Sequence, residues 1–323
     1  MKILTGSRHN PSVITHLGLD FQGSSIVTTE EQEQTRNTFS FKWSLRESYE
    51  SKESQARLKH WLFEKYCDGD AAILDTWLAG GNKTILDAGC GSGFSALLFF
   101  EKHLDNNDYV GIDISDSIET AKIRFEEQGF NKYIFAQSSI SDLPIQANSI
   151  DLIFSEGVLH HTDSTEQSMR HLARALKPGG YFLFYVYKEK SAIREFTDDY
   201  IRNALKDMND EQVWEALKPL TKLGIALGEL NVKVDVPEIP FLGIQAGEYD
   251  VQRLLYWHVM KMFYEPTYNI EEMNHINYDW YRPMNCHRHT PEEVKKWCKK
   301  AGLDIERFCV QNSGITVVAR RPF

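Results

Sequence analysis

The segment with the most evident chemistry is Leu86-Asp87-Ala88-Gly89-Cys90-Gly91-Ser92-Gly93-Phe94. It separates a short apolar run, Thr84 to Ala88, from a helix-like stretch that starts at Phe94. Glycines at 89, 91 and 93 let the backbone come close to a ligand at the end of a strand, and open α/β sheets bind their ligands at that edge. Asp113 ends the next strand-like run, Tyr109 to Ile114, twenty residues after Gly93. A carboxylate there accepts hydrogen bonds from the two hydroxyls of a ribose, so loop and acid together specify a nucleoside. A pyrophosphate-binding dinucleotide fingerprint would need Gly or Ala at position 94, where Phe94 stands, and no G-x-x-x-x-G-K-[ST] phosphate loop occurs.

A second group of chemically capable residues lies near the end of the chain. Cys286, His287 and His289, with His275 upstream, are metal-ligand types, but they lack a second well-spaced ligand pair, so no metal is expected. The five cysteines, Cys67, Cys90, Cys286, Cys298 and Cys309, are odd in number and never form C-x-x-C, which excludes a disulfide framework and reads as reduced thiols.

The elements that position the loop follow from periodicity. Thr84–Ala88, Tyr109–Ile114, Tyr133–Gln137, Ser149–Phe154 and Tyr181–Tyr187 read as buried strands, with helices predicted over 94–103, 116–128 and 164–176 between them. Gly129 stops one helix and Lys177-Pro178-Gly179-Gly180 another, while Ser164 with Gln167 and Thr290 with Glu293 mark helix starts. Ile305–Val310 and Ile315–Ala319 pair as a closing antiparallel hairpin. This pattern is a Rossmann-like α/β core. Between Lys188 and His289 the rhythm breaks into helical stripes (Ile201, Leu205, Met208; Val213, Leu217, Leu220; Leu254, Leu255, Trp257, Met260), which predicts an inserted, mainly helical cap. The expected domains are a helical lid segment over 1–70, the core over 71–187, the cap over 188–289 and the rest of the core over 290–323.

Composition narrows the partners. With 36 basic and 46 acidic residues the formal charge is −10, and no basic run offsets it, so nucleic acid is excluded as a partner. No apolar stretch is long enough for a membrane span, and Met1 to His9 lacks the apolar stretch of a signal peptide, so the expected location is cytoplasmic. Monomer and homodimer are both left open.

Taken together, these motifs resemble those of the class I S-adenosylmethionine-dependent methyltransferases over roughly 84–187 and 290–320. ILDAGCGSGF is similar to the family's first motif, VGIDIS to its second, SSISDLP to its third, SIDLIFSEGVLHHT to its fourth and LKPGGYFLFYVY to its fifth. The resemblance implies a seven-stranded sheet with one antiparallel strand. It implies that S-adenosylmethionine is the cofactor, with Gly89, Cys90, Gly91 and Gly93 along its methionine part and Asp87 near its amino group. Asp113 would take the ribose, Ile114 the adenine face, and Ser155 and Glu156 the methyl-sulfonium. The third motif often carries an aspartate for the adenine amino group. Here that position is Ser139, so the contact would fall to a serine hydroxyl and the backbone N–H of Ile140.

Methyl transfer from a sulfonium is an in-line displacement, and its chief demands are alignment and exclusion of water. A hydroxyl or protonated amine acceptor gains from a base, and His160 or His161, at the lip of the pocket, is the group the resemblance supplies; packing of the loop is the other reading of both. Asn277-Tyr278-Asp279-Trp280-Tyr281-Arg282-Pro283 and Phe39-Ser40-Phe41-Lys42-Trp43 are similar to segments of uncharacterised methyltransferases found in biosynthetic gene clusters. That likeness would turn Asp279, Trp280 and Tyr281 toward the acceptor and make Trp43 or Tyr49 part of a lid; aromatic core is the other reading. The expected activity is methylation of an O, N or C atom of a small molecule. A protein or peptide acceptor, carboxyl or aminopropyl transfer from the same cofactor, and a binding protein without turnover remain alternatives.

Overall fold

The structure is a computed structural model that describes residues 2–18 and 29–323; the part of the expected lid segment over 19–28 lies outside the described residues. Among the described residues there are ten strands, β1 (Ile3–Thr5), β2 (Thr84–Ala88), β3 (Asp108–Asp113), β4 (Tyr133–Gln137), β5 (Ile150–Glu156), β6 (Leu176–Tyr187), β7 (Lys233–Val236), β8 (Gly247–Asp250), β9 (Asp304–Val310) and β10 (Gly314–Arg320). The helices before the second half of the sheet are α1 (Pro11–His16), α2 (Glu30–Ser44), α3 (Lys52–Cys67), α4 (Ala71–Trp77), α5 (Phe94–Phe100), α6 (Ile118–Glu127) and α7 (Thr165–Ala173). After β6 come α8 (Ala192–Leu205), α9 (Asp210–Glu229), α10 (Val251–His258), α11 (Ile270–Tyr281) and α12 (Pro291–Lys300). The chain packs as two compact units, one of 1–44, 56–188 and 287–323, the other of 45–55 and 189–286.

The first unit is built on a sheet of order β1-β4-β3-β2-β5-β6-β10-β9. Strands β2 to β6 run parallel, and β10 enters antiparallel between β6 and β9. Neighbouring residues along each strand feed opposite faces: Leu86, Val110 and Ile153 enter one apolar cluster, Ile85, Tyr109 and Leu152 the other. Because both faces are covered, β2 is buried at every position, which explains its uninterrupted apolar reading. The sheet has eight strands where seven were expected. The addition, β1, pairs antiparallel with the free edge of β4, and three residues are too few to show a period in the sequence. Leu176 to Gly180 also differs from expectation: α7 ends at Ala173, and the Lys-Pro-Gly-Gly run lies within β6.

The second unit holds four helices and a two-stranded antiparallel hairpin, β7–β8, and the loop expected around Pro237 to Gly247 is the connection between its strands. α9 buries Val213 and Leu217 of its expected stripe, while the inner faces of α8 and α10 carry polar residues as well. α8 buries Arg194 and Asp198 beside Leu205, and α10 buries Gln252 and Tyr256. A capping box opens α9 at Asn209 and another opens α11 at Asn269. No described helix is long and apolar enough to cross a membrane.

Candidate active site

The site lies where the sheet reverses direction. From β2 the chain winds outward through β3 and β4, then returns to place β5 on the other side of β2. The C-terminal ends of β2, β3 and β5 therefore converge on one crevice, the ligand position of open α/β sheets. β2 delivers Asp87, β3 Asp113 and β5 Glu156.

Between β2 and α5 the glycine loop is pinned from below. The N–H groups of Gly89 and Cys90 both donate to the carbonyl of Ile112, at 2.7 and 2.9 Å. Gly89 and Gly91 adopt φ of +90° and +50°. A Cβ on Gly89 would overlap the side chain of Val158, and one on Gly91 would lie 2.7 Å from the indole nitrogen of Trp43. Only glycine satisfies both demands. Cys90 turns its thiol inward, against Gly111, and burial holds it well above the usual thiol range. Its contribution to a ligand is therefore through its backbone.

The two acids beside the loop are differently engaged. Asp113 Oδ2 accepts the N–H of Gly91 at 2.8 Å, while Oδ1 accepts the N–H and hydroxyl of Ser115 at 2.8 and 2.6 Å. A carboxylate offers about four acceptor positions, so three are taken and roughly one remains for a ribose hydroxyl. Bidentate capture of both hydroxyls, the sequence expectation, requires Ser115 to release one. Burial raises the Asp113 carboxyl, opposed by the Ser115 and Gly91 hydrogen bonds. Asp87 accepts the Tyr109 hydroxyl at 2.7 Å, and burial pushes its carboxyl up to about 7 against that bond, with Asp113 and Glu156 adding to the rise.

Glu156 is held by two residues that the sequence reading missed. Lys65 donates to Oε1 at 2.6 Å and the Tyr66 hydroxyl donates to Oε2. The Lys65 ammonium sits 3.6 Å from the centre of the Trp61 ring and 3.4 Å from that of Tyr185. Burial brings Lys65 down to about 8 against the pull of Glu156. A signal existed: Leu58, Trp61, Leu62 and Lys65 follow one helical stripe, so a charge stands where the next apolar residue belongs.

The remaining expected residues divide between the two units. In the first, Ser155 is fully buried and donates to the carbonyl of Ala88, tying β5 to β2. Ile114 is half-buried and its carbonyl accepts from the Gln137 amide. Ser139 and Ile140 are buried, and the Ser139 hydroxyl accepts the N–H of Ser141 at 3.2 Å. Trp43, from α2, stands against Gly91. Along α2 the buried residues are Gln32, Thr35, Thr38 and Lys42, a polar stripe turned inward, and Gln32 donates to the carbonyl of His161. His160 has no exposed surface; its ring centre is 3.7 Å from that of Tyr187 and 4.3 Å from that of His161, which also meets Phe39 edge-on.

In the second unit, Tyr49 packs on His275 with ring centres 5.2 Å apart. Trp280 and Tyr281 are interior, both donating to Asp198, and Asp279 is half-buried on the same helix. The candidate metal residues are dispersed. His275 bonds the Ser48 hydroxyl, Cys286 lies 3.3 Å from Arg202, His287 meets the carbonyl of Thr162 and His289 the hydroxyl of Thr165. No group of three or more His, Cys, Asp or Glu side chains among the described residues is arranged to hold a metal.

Residues 80–223 match the family model described as Methyltransferase domain. The chain carries a class I S-adenosylmethionine-dependent methyltransferase domain. S-adenosylmethionine is the cofactor of this domain, and the residues present are compatible with it: a loop with no room for side chains at Gly89 and Gly91, and acids at the ends of β2, β3 and β5. Among proteins similar to the chain is a phthiotriol/phenolphthiotriol dimycocerosates methyltransferase of Mycobacterium tuberculosis, 24% identical over 41% of this chain and 48% of that protein. A malonyl-[acyl-carrier protein] O-methyltransferase of Marinomonas is 28% identical over 40% of this chain and 48% of that protein. A sterol 24-C-methyltransferase of Pneumocystis carinii is 34% identical over 32% of this chain and 27% of that protein. The chain thus spans between 27% and 48% of the length of these relatives. Among solved structures, a magnesium protoporphyrin IX methyltransferase of Synechocystis with bound S-adenosylhomocysteine superposes with a TM-score of 0.49, at 15% identity, over 90% of this chain and all of that one.

Proposed function

We propose that the protein transfers the methyl group of S-adenosylmethionine to an O, N or C atom of a small-molecule acceptor. The observation that carries this reading is the convergence of Asp87, Asp113 and Glu156 on the glycine loop. Two of these acids have no close cation: Asp87 is met by a tyrosine hydroxyl, and Asp113 by backbone N–H groups and a serine. Cationic cofactor is the natural complement of that negative crevice. By their names, the relatives above methylate phthiotriol/phenolphthiotriol dimycocerosates, malonyl-[acyl-carrier protein] and a sterol. They support a small acceptor, and the charge of −10 disfavours a polyanionic one.

In this reading the domain's work is placement. Glu156, fixed by Lys65 and Tyr66, stands at the end of β5 beside the sulfonium, and α2 with Trp43 shields the loop from water. Trp43 is proposed as a lid residue. Purified protein is to be incubated with methyl-labelled S-adenosylmethionine and a metabolite extract, and the products read by mass spectrometry. A product heavier by one labelled methyl group, formed with S-adenosylhomocysteine, is expected. Transfer of a carboxyl or aminopropyl group, or label on protein alone, would overturn the proposal.

A further inference from the structure

Unpaired charge in a protein interior is costly, and the second unit contains such a charge. Lys261 is 7% exposed. Its backbone N–H donates to Asp198, but among the described residues its ammonium has no hydrogen bond and no ion pair within 4 Å; it lies 5.0 Å from the centre of the Trp280 ring. Burial brings its ammonium down to about 8, with Asp279 and Asp198 attracting it from a distance and Arg194 repelling it.

The surroundings are rich in charge of both signs. Around the same indole lie Lys190 at 5.6 Å, the Arg194 guanidinium at 5.4 Å and that of Arg202 at 5.1 Å. Asp198 is saturated: it accepts from Arg194 at 2.5 Å, Trp280 at 2.7 Å, Tyr281 at 2.8 Å and the Lys261 N–H at 3.2 Å. Arg194 is also committed to the carbonyl of Tyr256, and Arg202 to Asp199 and the carbonyl of Trp280. Lys190, Arg194, Arg202 and Lys261 thus share this region with Asp198, Asp199, Asp279 and Glu195, which accepts the Lys190 N–H at 2.7 Å.

We propose that the second unit carries a recognition site for an anionic small molecule, a carboxylate or a phosphate, built on Trp280 with the Lys261 ammonium as its receiving cation. Taking the methyl acceptor as the source of that anion rests on the methyl-transfer reading; the site itself does not. An indole face holds the lysine in place, and an arriving anion supplies the charge and hydrogen bonds the ammonium lacks. Keeping an unsatisfied cation at a stability cost is the usual mark of a functional position.

The test uses the full chain without cofactor, so it is independent of turnover. Wild type, Lys261→Met and Lys261→Arg are melted with increasing inorganic phosphate or acetate at matched ionic strength. Wild type is expected to gain roughly 4 °C at a concentration ~100-fold above the dissociation constant of at least one of the two anions. The arginine variant should keep part of that gain and the methionine variant none. A response to phosphate alone specifies a phosphate-bearing ligand, and to acetate alone a carboxylate. Without anion, Lys261→Met should melt no lower than wild type, since it removes an unpaired charge. The proposal is overturned if wild type shows no saturable gain, if the methionine variant gains equally, or if that variant alone is destabilised, which would make Lys261 a structural counter-ion of Asp279.

Discussion

Asp113 accepts the backbone N–H of Gly91 at 2.8 Å, so the acid that ends β3 also fixes the crest of the glycine loop. In the proposed reading one carboxylate serves two ends, shaping the loop and receiving the ribose. Asp113→Ala removes both and should weaken S-adenosylmethionine by roughly 10- to 150-fold, the equivalent of one charged hydrogen bond. Calorimetry measures the affinity, and circular dichroism should show the fold intact. Unchanged affinity would remove Asp113 from the site. A Ser115→Ala variant should leave binding unaltered or improve it, because it frees an acceptor position on Oδ1.

The parts of this site legible in the sequence are those with local causes. A glycine at a positive φ and an acid at a strand end announce themselves by spacing, and so did Gly89, Gly91, Asp87 and Asp113. What stayed hidden depends on pairing across the fold. Lys65 reaches Glu156 from 91 residues away, and Asp198 gathers Arg194, Trp280, Tyr281 and Lys261 through contacts up to 83 residues distant. Both clusters did leave a trace, a charge inside a helical apolar stripe. The inner face of α8 was misread for the same reason: the buried Arg194–Asp198 pair replaces hydrocarbon there, and periodicity counts only hydrocarbon.

Lys65 and Glu156 make a second prediction. Their side chains are 1% and 9% exposed, and breaking a buried pair from one side strands the other charge. Lys65→Met should cost about 3–5 kcal/mol in denaturant unfolding. Adding Glu156→Gln to it should recover much of that loss, because no charge is then left unpaired. If the double variant is no more stable than the single one, Lys65 contributes by its packing between Trp61 and Tyr185 and not by its charge.

Asp87 gives a pH dependence with a defined sign. Its carboxyl ordinarily titrates near 3.8 and is lifted by burial to about 7 in the fold. Below pH 4 both folded and unfolded forms hold the proton, and there is no penalty. Between pH 4 and 7 the folded form holds more proton than the unfolded one, so stability falls as pH rises; above 7 the penalty is complete. Asp87→Asn keeps an acceptor for Tyr109, and its stability advantage over wild type should grow from pH 4 to 7 and then level off. Cofactor binding tests the same group. A cationic ligand favours the carboxylate, so calorimetry near pH 6.5 in buffers of different ionisation enthalpy should show proton release that the asparagine variant lacks. Equal pH profiles for both proteins would mean that Asp87 is ionised throughout.

His160 is the residue for which the sequence leaves two roles open, general base and packing of the loop. As a base it must come within hydrogen-bond reach of the acceptor's proton, yet its ring has no exposed surface and lies 3.7 Å from Tyr187. Its carbonyl also accepts the N–H of His287 at 2.9 Å, which locks the turn from the backbone side. Packing is therefore the role expected in this conformation. His160→Phe preserves a ring against Tyr187 and removes both nitrogens. It should leave S-adenosylmethionine affinity unchanged and turnover within about tenfold of wild type, whereas loss of a general base removes roughly 100- to 10,000-fold. A fall of that size at unaltered cofactor affinity, with loss of the acid limb of the pH-rate profile, would make His160 the base and require Tyr187 or α2 to move aside during turnover.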